Sequence, residues 1–454
     1  MSIGISPSEW VSAKRQELAP AGSVRARFTQ GAFWSLAGAA ISRGLTLGAA
    51  ITCARLLGKI GFGELGIIQS TVGTFGILAG LGLGLTATKF VAEFRERDPL
   101  KVGRILALTT VVATGCSAIM ACLLIVLAPY LARHTLGAPR LARPLAVGAG
   151  LVFFGALNGV QSGALAGLEA FRRLAFVNIG AGAATFPLIV VGVWRWGVTG
   201  AAWGMVAAMI VNWVLNHHAL RKECSRTGIF YDFAHCQSEW RVLIEFSLPA
   251  FLASVVVGPA LWVCNTFLVG RPDGYAQLGL YTAADRWRLL ILFVPGSLFG
   301  IVLPLLSSLY GSADEIGFHR FFRANLLLNF GLALAPALVI AALAFPIMSL
   351  YGRQFGAGWP VLIVLAFAAI PEAISTAHMV RLICAHGMWY RLALDLQLVV
   401  VLLLLARWWI PRWGALGMAA AYGSTMLALC LSQFLLAGRQ LAPGCNLFVQ
   451  ARGK

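Results

Sequence analysis

Residues 246–269 read FSLPAFLASVVVGPALWVCNTFLV and contain no charged side chain. A helix needs about 20 consecutive apolar residues to cross the hydrocarbon core of a bilayer, so this segment predicts a transmembrane helix. Residues 270–274, GRPDG, follow at once and have the glycines and proline of a tight turn. The next apolar segment begins at residue 278. Two spans joined by a short polar turn are therefore the basic unit of the predicted fold.

The same alternation of apolar windows and short polar connections runs through the whole chain. Of the 454 residues, 59% are hydrophobic and 11% are charged, with a mean hydropathy of +0.81. A soluble domain carries about 25% charged residues, so the composition excludes a water-soluble protein and predicts an all-α membrane protein. The predicted spans are 33–56, 64–90, 105–130, 145–168, 174–194, 199–219, 246–269, 278–308, 323–350, 360–384, 391–410 and 415–437.

The formal net charge of +18 is explained by the orientation of the helices in the membrane. Most of the basic residues lie in short loops, where Lys and Arg fix the orientation of the helices, so no nucleic-acid partner is predicted. With the N-terminus inside, about 20 of the 35 basic residues lie on the inner side and about 10 on the outer side. This asymmetry predicts that both termini are cytoplasmic.

Three segments recur in order along the chain. Residues 57–66 (LGKIGFGELG) match 269–279 (VGRPDGYAQLG), residues 171–175 (FRRLA) match 389–393 (WYRLA), and residues 195–202 (RWGVTGAA) match 412–419 (RWGALGMA). Their offsets are 213, 218 and 217 residues. Two six-helix halves in the same orientation, related by an axis along the membrane normal, explain this pattern and enclose a central cleft.

The repeat divides the chain into five predicted regions. They are a cytoplasmic tail (1–30), an N-lobe of six helices (31–222), a cytoplasmic connector (223–245), a C-lobe of six helices (246–437) and a second cytoplasmic tail (438–454). Because the two pseudo-symmetric lobes lie in one chain, we expect a functional monomer.

The repeated segments also carry a family resemblance. Residues 54–66, 82–93, 280–286, 351–355 and 413–417 resemble motifs of the polysaccharide-export (O-antigen flippase) branch of the multidrug/oligosaccharidyl-lipid/polysaccharide (MOP) flippase superfamily. The resemblance covers most of the chain. It implies a protein of the bacterial cytoplasmic (inner) membrane that moves lipid-linked oligosaccharides by alternating access between two six-helix lobes. It also implies that Arg286, which follows the YTAAD motif, faces the central cavity.

Charged residues inside the predicted spans are the strongest candidates for function. A charge at the bilayer centre costs about 2.5–3.5 kcal/mol on insertion scales. Arg43 lies in the first span and Arg286 and Arg288 lie in the eighth. Facing the cleft, they would form a cationic site for a diphosphate, because the guanidinium group binds phosphate oxygens in a bidentate way. The structural alternative is that Asp285 and Arg288 neutralise each other, while Arg43 pairs with Glu372.

Further ionisable and polar residues within the predicted spans are weaker candidates for function. Glu372 is either a coupling carboxylate or the partner of a cleft arginine, and His378 is more often a packed histidine than a proton relay. Polar side chains that could line a hydrated cleft and meet sugar hydroxyls include Gln69, Asn158, Gln161 and Asn265. Hydrogen bonding between helices explains them equally well. The nine cysteines include no C-x-x-C pair, so no metal site and no cofactor are predicted.

These observations favour a flippase for a polyprenyl-diphosphate-linked oligosaccharide. The alternative from the same superfamily is a cation-coupled multidrug exporter, although no carboxylate lies well inside the first six spans. A membrane enzyme such as a polymerase or ligase is disfavoured, because no catalytic set of residues is found and no outward connection is long. A non-transporting scaffold leaves the intramembrane arginines unexplained. The expected partners are the lipid-linked oligosaccharide, membrane lipids and a polymerase or glycosyltransferases of the same pathway.

Overall fold

The computed structural model describes residues 24–95, 97–247, 251, 255–311, 315–384 and 388–440. Most of the two predicted tails and part of the predicted seventh span lie outside these residues. Within the described ranges every regular element is a helix, which confirms the predicted all-α class. In the part of the chain that the structure describes, seven helical segments are long and apolar enough to cross a membrane.

The long helices follow the predicted spans, often two spans to one helix. They are α1 Val24–Gly80, α2 Leu83–Phe94, α3 Pro99–Tyr130, α4 Ala142–Gly167, α5 Phe171–Thr227, α6 Val257–Val269, α7 Gly274–Ile291, α8 Phe293–Gly311, α9 Glu315–Ala342, α10 Ala344–Leu350, α11 Trp359–Cys384 and α12 Met388–Gln440. Short helical turns occur at Leu131–Thr135, Pro139–Leu141, Cys236–Glu239, Trp240–Val242, Leu243–Ser247 and Arg353–Gly358.

Glycines with positive φ separate the paired spans inside the longest helices. Gly58 interrupts α1 with φ 68°. Gly197 interrupts α5 with φ 57° and ψ −134°, and Gly414 interrupts α12 with φ 55° and ψ −125°. A backbone with this φ and ψ is essentially restricted to glycine. Because Gly197 and Gly414 occupy equivalent positions of the sequence repeat, the same hairpin is built twice.

The two hairpins close in the same way. A Cβ on Gly200 would lie 1.8 Å from the carbonyl oxygen of Gly192, and a Cβ on Gly417 would lie 2.2 Å from that of Trp409. The antiparallel arms therefore touch through their backbones, as small residues allow between membrane helices. This shared geometry supports the predicted pseudo-symmetry, while the predicted lobe boundaries stay predictions.

We expect Gly197→Ala to lower the free energy of unfolding by about 1–3 kcal/mol through backbone strain. A Cβ at Gly197 would meet no atom within 4 Å, so the effect isolates the backbone. Gly155→Ala, inside α4 with equally open space, is the control and should be neutral or slightly stabilising because alanine favours a helix. Thermal unfolding of the two purified variants in detergent measures the difference. Equal thermal unfolding midpoints for the two variants would contradict the predicted backbone strain at position 197.

The two halves of the chain meet at the end of the molecule that carries the turns at Gly58 and Gly270, which we call the turn face. A Cβ on Gly63 would lie 1.8 Å from the carbonyl oxygen of Tyr275, and one on Gly279 would lie 2.0 Å from that of Lys59. These are reciprocal contacts between matching repeat segments. The predicted orientation places the turn face on the outer side.

Aromatic residues of the same segments extend this contact. The Phe62 ring lies 6.1 Å from that of Tyr351 and 6.0 Å from that of Phe355, measured between centroids. Its repeat partner Tyr275 donates a hydrogen bond of 2.8 Å to the carbonyl oxygen of Leu136. Each half thus inserts one aromatic ring into a loop of the other, and the halves are closed against each other at the turn face.

Candidate functional site

Arg286 lies on α7, where this helix faces α1 of the other half. Its guanidinium group donates a hydrogen bond to Oε1 of Gln69. Its Nε atom is buried and has no hydrogen-bond partner, and no ion pair of Arg286 occurs among the described residues. Arg286 as a whole is only partly buried. It therefore offers a guanidinium group without an ion pair and an Nε–H donor without an acceptor among the described residues.

Two cavities meet at Arg286 and Gln69, which line both. The inter-lobe cavity, of about 450 Å³, lies between the second half of α1 and helices α6, α7 and α12. The N-lobe chamber, of about 400 Å³, lies among α1, α4 and α5. Both volumes fall in the range of small-molecule sites, about 300–1,000 Å³. Among the described residues, Arg286 is the only one of the C-lobe that lines the N-lobe chamber.

Arg288 lies two residues further along α7 and is fully paired. It contacts Asp285 at 2.7 Å and Glu372 at 2.5 Å, and it donates to the hydroxyl of Tyr422 at 2.9 Å. Arg288 is only 7% exposed. The predicted structural alternative for Asp285 and Arg288 thus matches the geometry, with Glu372 as the second carboxylate.

Arg43 lies across the seam between α1 and α7. Its guanidinium group donates to the carbonyl oxygen of Leu289 at 3.4 Å and lies 4.7 Å from the centroid of the Phe293 ring. The alternative pairing of Arg43 with Glu372 is not found, because Glu372 contacts Arg288 instead. Arg43 lines neither cavity, although its neighbour Ser42 lines the N-lobe chamber.

The predicted polar residues divide between the cavities and the helix interior. Asn265 lines the inter-lobe cavity and donates to Oγ of Ser70 at 2.8 Å. Asn158 is buried, donates to the carbonyl oxygen of Met209 and accepts from Asn216, so its amide is used within the N-lobe.

Two more of the predicted residues lie away from both cavities. The Gln161 amide can pair with the backbone oxygen and the indole nitrogen of Trp213, each at 3.2 Å. His378 is packed against Phe322 and Phe434, with ring centroids 5.3 and 4.6 Å away. Its position agrees with a packed histidine.

The sequence did not single out the polar lining of the N-lobe chamber. This lining includes Ser42, Thr46, Asn178, Thr185 and Asn212. These residues are uncharged and widely spaced in apolar helices, where such side chains are common. One sequence feature could have found two of them. Asn178 and Asn212 lie on the two arms of the α5 hairpin, at a similar distance along the chain from its turn at Gly197.

A sequence profile of a family described as "Polysaccharide biosynthesis protein" matches residues 28–310. The chain belongs to this family. The match includes Gln69, Arg286 and most of both cavities. The resemblance predicted from the motifs, to the polysaccharide-export branch of the MOP superfamily, is confirmed.

Curated relatives of this family member are export proteins. The "EPS I polysaccharide export inner membrane protein EpsE" of Ralstonia nicotianae is 28% identical over 197 residues, and that of Ralstonia solanacearum is 26% identical over 197 residues. The matched segment is 43% of this chain and 43% of each relative.

Solved structures share the fold. An inward-facing multidrug resistance MATE family transporter of the MOP superfamily superposes with a TM-score of 0.72 at 16% identity, covering 89% of this chain and 98% of the other. The lipid II flippase MurJ in an inward closed conformation gives 0.71 at 14% identity, covering 89% and 87%. These similarities show that the chain has the same fold as these two proteins.

Proposed function

We propose that this protein is a flippase that moves a polyprenyl-diphosphate-linked oligosaccharide across the bacterial cytoplasmic membrane. The observation that carries the proposal is Arg286, a cation without an ion-pair partner among the described residues, at the junction of two cavities. Family membership and the names of the relatives support polysaccharide export as the process.

The chemistry of Arg286 suits a diphosphate. A guanidinium group forms charge-assisted, bidentate hydrogen bonds with phosphate oxygens. On binding, a phosphate oxygen would replace Oε1 of Gln69 as acceptor. Arg288 cannot do the same without giving up two carboxylates and a tyrosine hydroxyl. We therefore assign head-group capture to Arg286, with Arg43 as a second cation at the seam between α1 and α7.

In the proposed transport cycle, the two ends of the cleft would close in turn. The halves are in backbone contact at the turn face, so a substrate enters from the opposite, cytoplasmic end and leaves when the turn face opens. The sugars travel in the cavities while the lipid tail remains in the bilayer. This is alternating access between two similar lobes.

A cation-coupled multidrug exporter of the same superfamily is the second candidate. One observation favours it: Asp285 and Glu372 share the single cation Arg288, which leaves one carboxylate in excess beside the inter-lobe cavity. An excess carboxylate can bind a proton or a cationic drug. Arg286 lines the same cavity, however, so a cationic substrate would meet a guanidinium group without an ion pair among the described residues there.

We expect Arg286→Gln to weaken binding of a polyprenyl-diphosphate-linked oligosaccharide by about 10- to 100-fold, the equivalent of about 1.5–3 kcal/mol for a hydrogen bond to a charged group. The measurement is binding to the purified protein in nanodiscs, followed by transfer between leaflets of proteoliposomes. Arg381→Gln is the matched control, since Arg381 is a buried arginine of α11 that lines neither cavity.

Retained binding and transfer in Arg286→Gln, at the same monodispersity as the control, would contradict the head-group site. Binding of lipophilic cations that rises in Arg286→Gln and is lost in Asp285→Asn would favour the exporter instead.

A further inference from the structure

The N-lobe chamber differs from the inter-lobe cavity in the chemistry of its walls. Its polar lining consists of neutral amides and hydroxyls, and Arg286 is the only charged residue among its described lining. The inter-lobe cavity is lined instead by Asp285, Arg286 and Arg288. A chamber with uncharged polar groups and one cation in its wall suits a ligand with an anionic group at one end and uncharged polar groups beyond it.

The free hydrogen-bonding groups of the chamber match hydroxyls in particular. Asn178 makes no side-chain hydrogen bond within the described residues, and the amide oxygen of Asn212 accepts from Asn216 while its NH₂ group stays available. Thr46 and Thr185 donate to carbonyl oxygens of their own helices at 2.8 and 2.7 Å, so their oxygens remain as acceptors. A sugar hydroxyl both donates and accepts, and the chamber presents both kinds of partner.

The rest of the chamber is apolar. Leu65, Leu151, Ile189 and Met205 line it together with the ring of Phe62. Apolar walls with a few convergent polar groups are typical of sites that orient a small ligand. The carbon–hydrogen faces of a sugar ring would pack on these walls while its hydroxyl edge meets the amides.

The chamber also has the position that a diphosphate-linked sugar requires. Among the described residues, its lining belongs to the N-lobe except for Arg286, so most of its wall would keep its shape when the two halves move. The inter-lobe cavity, in contrast, has walls from both halves and must change when they move. The contacts of a sugar with the N-lobe part of this wall would be kept during the movement.

We propose that the N-lobe chamber is the subsite for the sugar next to the diphosphate, with Asn178 and Asn212 donating hydrogen bonds to its hydroxyls while Arg286 holds the phosphate. This assignment rests on the proposed flippase function and deepens it, because it places the selection of the glycan in the N-lobe. The chemical class of the ligand is a neutral hexose or N-acetylhexosamine attached to a lipid diphosphate.

The test compares two lipids on the purified protein in nanodiscs: a polyprenyl diphosphate, and the same lipid carrying one hexose. The wild-type protein should bind the sugar-bearing lipid more tightly. Asn178→Leu and Asn212→Leu should each lower that affinity by about two- to tenfold, the range for one neutral hydrogen bond, and should leave binding of the bare diphosphate unchanged. Arg286→Gln should weaken both lipids equally.

Gln397→Leu is the matched control, because Gln397 lines a cavity in the C-lobe, away from Arg286. Equal affinity of the wild-type protein for the two lipids would overturn the sugar subsite even if no variant folds, and so would an equal loss for both lipids in Asn178→Leu. Unchanged binding of both lipids in Arg286→Gln would instead refute the head-group site, so the two failures are distinguishable. Asn178→Ser, which keeps a donor of smaller size, serves if the leucine variants are unstable.

Discussion

Gly63→Val should abolish transport by preventing the two halves from closing at the turn face. A Cβ at position 63 would lie 1.8 Å from the carbonyl oxygen of Tyr275 and 2.9 Å from the backbone nitrogen of Gly279. Both obstacles are backbone atoms, so no side chain can rotate away. The helices would have to separate by roughly 1.2 Å, the difference between 1.8 Å and the 3.0 Å below which real Cβ contacts are essentially absent.

The size of the effect follows from the closed contact itself. Overpacking a well-packed site costs about 1–3 kcal/mol where side chains can adjust, and more is expected against backbone. A penalty of about 3 kcal/mol already shifts a two-state equilibrium by more than 100-fold. The closed turn face should therefore become a minor state. Gly279→Val should act in the same way, because its Cβ would lie 2.0 Å from the carbonyl oxygen of Lys59.

The measurement is the distance between spin labels placed on the two halves at the turn face, at Arg133 and Arg353, both exposed. The short-distance population of the parent protein should disappear in Gly63→Val. Gly76→Val is the control on the same helix, since a Cβ there would meet no atom within 4 Å. A persistent short-distance population in Gly63→Val would show that the backbone contact does not define the closed state.

The sequence repeat predicted much of this architecture but not the contact. It related residues 57–66 to 269–279 and residues 195–202 to 412–419, and the matching φ and ψ of Gly197 and Gly414 support the relation. A sequence repeat shows that two segments are similar. It does not show that they are in contact, because the two halves could be arranged in different ways about the pseudo-symmetry axis with the same repeat. The reciprocal contact of Gly63 and Gly279 required the coordinates.

Only the local contacts of the candidate site could be predicted from the sequence. Helical spacing is local, so the pairing of Asp285 with Arg288, three residues apart, could be inferred from sequence. The partners of Arg286 and Arg43 come from distant helices, and no local rule gives them. Gln69 was among the predicted polar residues, but its bond to Arg286 was not predicted. The chamber around Asn178 and Asn212 was missed because neutral residues give no signal in an apolar helix.

Arg286 and Arg288 lie on the same helix, α7, but their side chains point in different directions. Successive residues of an α-helix are rotated by about 100°, so Arg286 and Arg288 point to different sides of α7. Arg286 points to α1 and lines both cavities, whereas Arg288 lines the inter-lobe cavity but is bound to Glu372 and Tyr422 of the C-lobe. We therefore predict that Arg286 is available for a ligand, whereas Arg288 stabilises the fold.

Arg288→Met should therefore reduce stability rather than substrate recognition. Removing one partner of a buried ion pair leaves the others uncompensated and typically costs 3–5 kcal/mol. Asp285 and Glu372 keep 25% and 24% of their side-chain surface exposed, so we expect a loss of about 3 kcal/mol, at the lower end. The measurement is unfolding of the purified protein in mixed micelles, read as the free energy of unfolding against denaturant.

The triple variant Arg288→Met, Asp285→Asn and Glu372→Gln separates charge from packing. Because it also removes both carboxylate charges, it should regain most of the stability lost in Arg288→Met. Binding of the lipid diphosphate per folded molecule should remain within about twofold of the parent, since Arg286 and Gln69 are intact. A triple variant as unstable as Arg288→Met would assign the loss to packing against Tyr422. A 10-fold or larger loss of diphosphate binding would show that Arg288 contacts the substrate.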